Sequence, residues 1–196
     1  MGRVRGGRLL ARAGVAVLLG VATVACGQTD AGAGEADAPR SAGPSPSPSH
    51  GRFEEEIELA DGRRVGMYYA AGRGLMEQHQ NSKNGAWSKP HLVYGTKSNA
   101  CQSLTLKAFG GTVAAIADWG YYCADGEPPT ESVAAVGTRD LSTWDAKLTK
   151  NFDGWEKVAT VGDTEHLRFT RSSTEWLTRL AWSRADGFAA VENIRR

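Results

Sequence analysis

No apolar run in the 196 residues is long enough to cross a bilayer: the stretch from Ala13 to Ala25 falls short of the roughly 20 residues a spanning helix needs. Histidine is scarce, four in all. His79, His91 and His166 have no Cys or carboxylate two to five residues further on, the spacing of a zinc site, so no metal is expected and the histidines read as surface or packing residues. Gly-x-Ser-x-Gly, His-Glu-x-x-His, phosphate-loop and dinucleotide patterns are all missing, which leaves no motif for an organic cofactor or a catalytic centre. Beyond the first 25 residues no dozen-residue window carries a 3.6-period apolar stripe, so a helical bundle is excluded. Charge of either sign is also lacking in excess. From residue 51 onward 18 Lys and Arg face 19 Asp and Glu, a formal −1 without a basic run, which argues against nucleic acid or anionic lipid as the main partner. The one local block, Glu54-Glu55-Glu56 with Glu58, reads as the solvated face of a first strand.

What is present begins with an address. Arg3, Arg5, Arg8 and Arg12 precede the apolar stretch with no acidic residue among them, and small residues follow, the pattern of a secretory signal over residues 1–25. The stretch ends Thr23-Val24-Ala25-Cys26, which resembles the lipobox of bacterial lipoproteins, with Thr where Leu or Val is commoner. That resemblance implies cleavage before Cys26, a lipid on its thiol, and anchorage to the outer face of the cell membrane. Residues 26–50 suit a stalk: residues 27–50 hold 4 Gly, 5 Ala, 4 Ser and 4 Pro, including Pro44-Ser45-Pro46-Ser47-Pro48-Ser49. Such a composition cannot bury enough apolar surface to order itself and would reach roughly 25–30 Å as a coil. With Cys26 carrying lipid, Cys101 and Cys123 remain as a pair in an oxidising compartment. Ser103–Phe109 and Thr112–Ala117 meet at Gly110-Gly111, a hairpin signal, and counting outward puts Cys101 opposite about residue 120. An irregular end at Gly120-Tyr121-Tyr122 would then allow a Cys101–Cys123 disulfide.

Residues 51–196 read as a single all-β domain of antiparallel hairpins, either sandwich-like or built like propeller blades. Asp61-Gly62 joins Ile57–Leu59 to Val65–Tyr69, Gly162-Asp163 joins Val158–Val161 to Leu167–Phe169, and Asp186-Gly187 leads into Phe188–Val191. Trp176, Thr178, Leu180 and Trp182 alternate with Leu177, Arg179 and Ala181, while Val133-Ala134-Ala135-Val136 is a continuous apolar run that suggests a strand covered on both faces. A faint repeat at 31 to 34 residues links Thr130-Glu131, Ser142-Thr143-Trp144, Leu148, Asp153-Gly154-Trp155 and Val158 to Thr164-Glu165, Ser173-Thr174, Trp176, Leu180, Asp186-Gly187-Phe188 and Val191; Asn84-Gly85-Ala86-Trp87 is a third echo. A polar turn followed by an aromatic and a strand resembles the Asp-box hairpins of sialidase-like β-propellers. About 146 residues are too few to close a propeller, so the expectation is a compact monomer.

The segment Asp118–Pro129 concentrates aromatics and carboxylates in a Gly/Pro-rich loop between two predicted core strands. Trp119, Tyr121, Tyr122, Asp125 and Glu127 are the candidate binding residues, because aromatic faces stack on sugar rings or prolines while carboxylates accept hydrogen bonds. The leading expectation is a non-catalytic module for a cell-envelope glycan, peptide or protein. The alternative is a small glycoside hydrolase. It would use a carboxylate pair drawn from Asp118, Asp125, Glu127 and Asp140, or a sialidase-like set of Tyr121 or Tyr122 with Arg139.

Overall fold

Glycines that accept positive φ turn β-rich segments back on themselves. The computed structural model describes residues 53–196, and there these turns produce three consecutive antiparallel meanders. The first sheet holds β1 (Glu55–Glu58), β2 (Arg64–Ala70), β3 (Gly74–His79) and β4 (His91–Gly95), hydrogen-bonded in that order. The second holds β5 (Ala100–Phe109), β6 (Thr112–Trp119), β7 (Glu131–Thr138) and β8 (Trp144–Lys150). The third holds β9 (Lys157–Val161), β10 (Asp163–Ser172) and β11 (Trp176–Ser183), with β12 (Gly187–Phe188) and β13 (Glu192–Arg195) sharing the free edge of β11. The domain is all-β as expected, and among the described residues no barrel or propeller closes. The signal segment, Cys26 and the stalk to residue 50 lie outside the described residues; among those described, no helix is long and apolar enough to cross a membrane.

The second sheet is the middle layer, and its sequence shows why. Successive side chains of a strand point to opposite faces, and here both parities of β6 and β7 are apolar. Val113, Ala115, Ala117, Trp119, Val133 and Ala135 pack against Val65, Met67 and Leu75 of the first sheet. Ala114, Ile116, Ala134 and Val136 pack against Val158, Leu167, Phe169, Leu180 and Trp182 of the third. The Val133–Val136 run is thus a strand covered on both faces.

Each of the first two meanders has four strands, so the chain leaves a sheet at the end where it entered. Residues 96–99 and 151–156 therefore cross to the next sheet at one common end of the stack. The opposite end carries tight turns such as Gly110-Gly111, where Phe109 pairs with Thr112 and Gly110 has φ 61°.

The Cys101–Cys123 disulfide is present, with Cα atoms 5.2 Å apart. Its register irregularity, however, lies within β5 between Ala100 and Leu104 rather than at residues 120–122 alone. The physical reason is Tyr69 of the first sheet. Its hydroxyl donates to the Ser103 carbonyl at 2.7 Å and accepts from the Asp118 N–H at 3.1 Å, replacing a ladder bond between β5 and β6. Burial pushes the pKa of that hydroxyl far above the ordinary tyrosine value, so it stays protonated as this double role requires.

The 31-to-34-residue echo does not coincide with the sheet repeat. Trp144 opens the fourth strand of its sheet and Trp176 the third strand of the next, while β1, β5 and β9 begin at 55, 100 and 157.

Candidate functional site

The crossover end carries a long connection within the second sheet, residues 120–130 between β6 and β7. Its base is fixed: the Gly120 N–H donates to Asn99 O at 3.0 Å, and the Thr130 N–H donates to Trp119 O at 2.9 Å. The disulfide holds the 3₁₀ turn Cys123–Asp125 over the start of β5. Gly120 is required there, since a Cβ would lie 2.8 Å from the Cys123 Sγ. Gly126, at φ 88°, closes the turn with its N–H on Cys123 O.

Opposite this loop runs the β8–β9 crossover. Asn151 opens it in the left-handed region, φ 51°, which asparagine tolerates better than most residues, and its N–H donates to Thr130 O at 2.8 Å. Gly154 follows at φ 91°, pressed so closely against Asp118 and Pro129 that a Cβ would come within 3.2 Å of each. Phe152 packs on Trp155 with ring centroids 4.6 Å apart, leaving Asp153 at the surface.

Between loop and crossover lies a cavity of about 500 Å³ lined by Tyr121, Tyr122, Asp125, Glu127, Phe152 and Asp153, together with Pro128, Pro129, Thr130 and Asn151. Asn151, Phe152 and Asp153 also line a second hollow of about 340 Å³, which continues over the third sheet to Arg171, Ser173, Trp176, Thr178 and Asn193. The two form one groove, within the size range of small-ligand sites. Arg171 bridges to Asp153 at 3.6 Å and to Glu156 at 3.2 Å, and Thr178 donates its hydroxyl to Asn193 Oδ1 at 2.9 Å.

Exposure singles out the same groove. Among the described residues the large apolar side chains left in solvent are Leu92, Tyr121, Tyr122, Val161, Trp176 and Ile194. Leu92, Val161 and Ile194 lie on the two outer faces of the stack; Tyr121, Tyr122 and Trp176 all line the groove. Tyr121 is 72% and Tyr122 66% exposed, unusual for tyrosines that hold no structural contact.

Four of the five candidate binding residues, Tyr121, Tyr122, Asp125 and Glu127, therefore share one cavity. The fifth, Trp119, does not reach it. It is 1% exposed and faces the first sheet, its ring 5.3 Å from that of Tyr69 and 5.1 Å from that of Tyr94. Strand alternation decides this, because Trp119 shares the parity of Val113, Ala115 and Ala117.

Of the carboxylates named for hydrolysis, Asp125 and Glu127 share the cavity, while Asp118 and Asp140 lie outside it. Asp118 is buried between the second and third sheets, receiving the Ser103 hydroxyl at 3.0 Å. Burial raises its pKa, while the hydroxyls of Ser132 and Ser103 and the charge of Arg171 act in the opposite direction. Asp140 and Arg139 sit in the β7–β8 turn at the far end, one eight-residue strand or roughly 25 Å away. There the Ser142 side-chain and backbone donors stabilise the Asp140 carboxylate and lower its pKa. A Tyr–Arg set with Arg139 is therefore divided between opposite ends.

Sequence reasoning missed Asn151, Phe152, Asp153, Arg171, Trp176 and Asn193. The positive φ of Asn151 is set by the crossover, and Trp176, on the same strand face as the buried Thr178, Leu180 and Trp182, is exposed because it stands at the strand end; neither leaves a local sequence signal. Comparison of the chain with known protein families, characterised proteins and solved structures finds no match.

Proposed function

We propose that this chain is an extracytoplasmic lipoprotein, anchored to the membrane through a lipid on Cys26, whose β-domain binds a cell-envelope glycan in the groove at its crossover end without catalysis. The lipobox-like Thr23–Cys26 and the Pro/Ser stalk support the location. The observation that carries the binding reading is the exposure of Tyr121, Tyr122 and Trp176 along one continuous groove. Planar rings suit the apolar faces of sugar rings, and Asn151, Asp153, Arg171 and Asn193 supply hydrogen-bonding groups for hydroxyls.

Tyr121→Ala with Tyr122→Ala lowers affinity for envelope glycans by about tenfold or more, each lost stacking contact contributing about 0.5–1.5 kcal/mol beyond area burial. The melting temperature stays unchanged, because neither ring supports the core. Glycan pull-down with the purified chain is the measurement, and binding undiminished in the double variant would refute this reading. Mass spectrometry of the mature protein tests the location: the expected N-terminus is an acylated Cys26, and any other removes the anchor.

A further inference from the structure

We infer that the ligand carries positive charge where it meets the cavity at Tyr121 and Tyr122, and that its class is an amine-bearing saccharide. This rests on the glycan reading above. The cavity wall is rich in acceptors and poor in cations. Asp125, Glu127 and Asp153 all line it, and among the described residues Asp125 and Glu127 have no cationic partner. The flanking cations are held elsewhere: Arg171 by Asp153 and Glu156, and Lys150 by Glu131 at 4.0 Å.

The backbone deepens the imbalance. An anionic or neutral acceptor ligand would need N–H groups turned toward it. In this loop the N–H groups of Asp125 and Glu127 both donate to Tyr122 O, and that of Gly126 donates to Cys123 O. Those of Thr130 and Asn151 are taken by Trp119 O and Thr130 O. Pro128 and Pro129 have none to offer. What remains for the ligand is carboxylate oxygen, the rings of Tyr121, Tyr122 and Phe152, a few side-chain donors, and the backbone N–H groups of Tyr121, Tyr122, Phe152 and Asp153. Aromatic faces are the negative part of the ring quadrupole and attract cations. A protonated amine satisfies carboxylate and ring together, and three donors on one nitrogen match the surplus of acceptors. A neutral sugar would leave Asp125 and Glu127 without a cationic partner in the cavity, whereas Asp153 already has Arg171.

The test compares chitosan oligosaccharides with the same oligosaccharides fully N-acetylated, by titration calorimetry on the full chain. The amine form is expected to bind about tenfold or more tightly, with affinity falling as salt rises. Asp125→Asn with Glu127→Gln should erase that preference without changing the melting temperature. Both side chains are exposed, and the amides keep their shape. Equal binding of the two oligosaccharides, or a preference indifferent to the double substitution, overturns the cationic assignment and leaves the glycan reading standing. Binding of neither, with capture of a lysine-rich peptide instead, overturns the glycan reading itself.

Discussion

Trp119→Ala lowers the unfolding free energy by about 3–5 kcal/mol, a large part of the stability of a domain this size. The indole is the largest fully buried side chain in the structure and fills the space between the first two sheets at the crossover end. Burying an aromatic of this size removes about 150–250 Å² from water, which at about 25 cal/mol per Å² is of the same order as the expected loss. The rings of Tyr69 and Tyr94 cannot collapse into the vacancy freely. The Tyr69 hydroxyl is committed to Ser103 and Asp118, and Tyr94 is tied to the β3 ladder through its pairing with Leu75. Chemical denaturation is the measurement. A variant that keeps wild-type stability but loses ligand would return Trp119 to the binding surface.

Cys101→Ser with Cys123→Ser lowers stability by about 3 kcal/mol on the loop-entropy account, for a sequence separation of 22. Its second effect is the more telling one. Neither cysteine lines the cavity, yet Cys123 begins the 3₁₀ turn that places Tyr122 and Asp125. Released from β5, the loop must be ordered afresh whenever ligand binds, so affinity falls although every contacting residue is intact. Ligand titration with and without a reductant, at a temperature where the reduced protein stays folded, reads this directly. Unaltered affinity after reduction would mean that residues 120–130 hold their shape without the bond.

The sequence displayed the sheets more plainly than the site. The Asp61-Gly62, Gly110-Gly111 and Gly162-Asp163 turns are local chemistry and fall where expected, as does the doubly buried Val133–Val136 strand. β3 and β13 were hidden, because Glu77 interrupts the apolar face of the one and the other, Glu-Asn-Ile-Arg, is almost wholly polar. Glu77 is the sharpest case. It is a fully buried carboxylate on the core-facing side of β3, 2.8 Å from the His79 Nδ1, a pairing that no periodicity announces. Half of the groove was equally hidden. Residues 121–127 advertise themselves as a Gly/Pro-rich aromatic loop, but Asn151 reaches its base only through the pairing of β8 with β7, and Arg171 and Trp176 come near only when the third sheet docks on the second.

The middle sheet is encoded by one unbroken central stretch, residues 100–150, and that placement makes the molecule modular in its gene but not in its energetics. Deleting β1–β4 would bare Val113, Ala115, Ala117, Trp119, Val133 and Ala135; deleting β9–β13 would bare Ala114, Ile116, Ala134 and Val136. Each meander can be cut out cleanly on paper, yet none is a free-standing part, and the groove exists only where two of them meet.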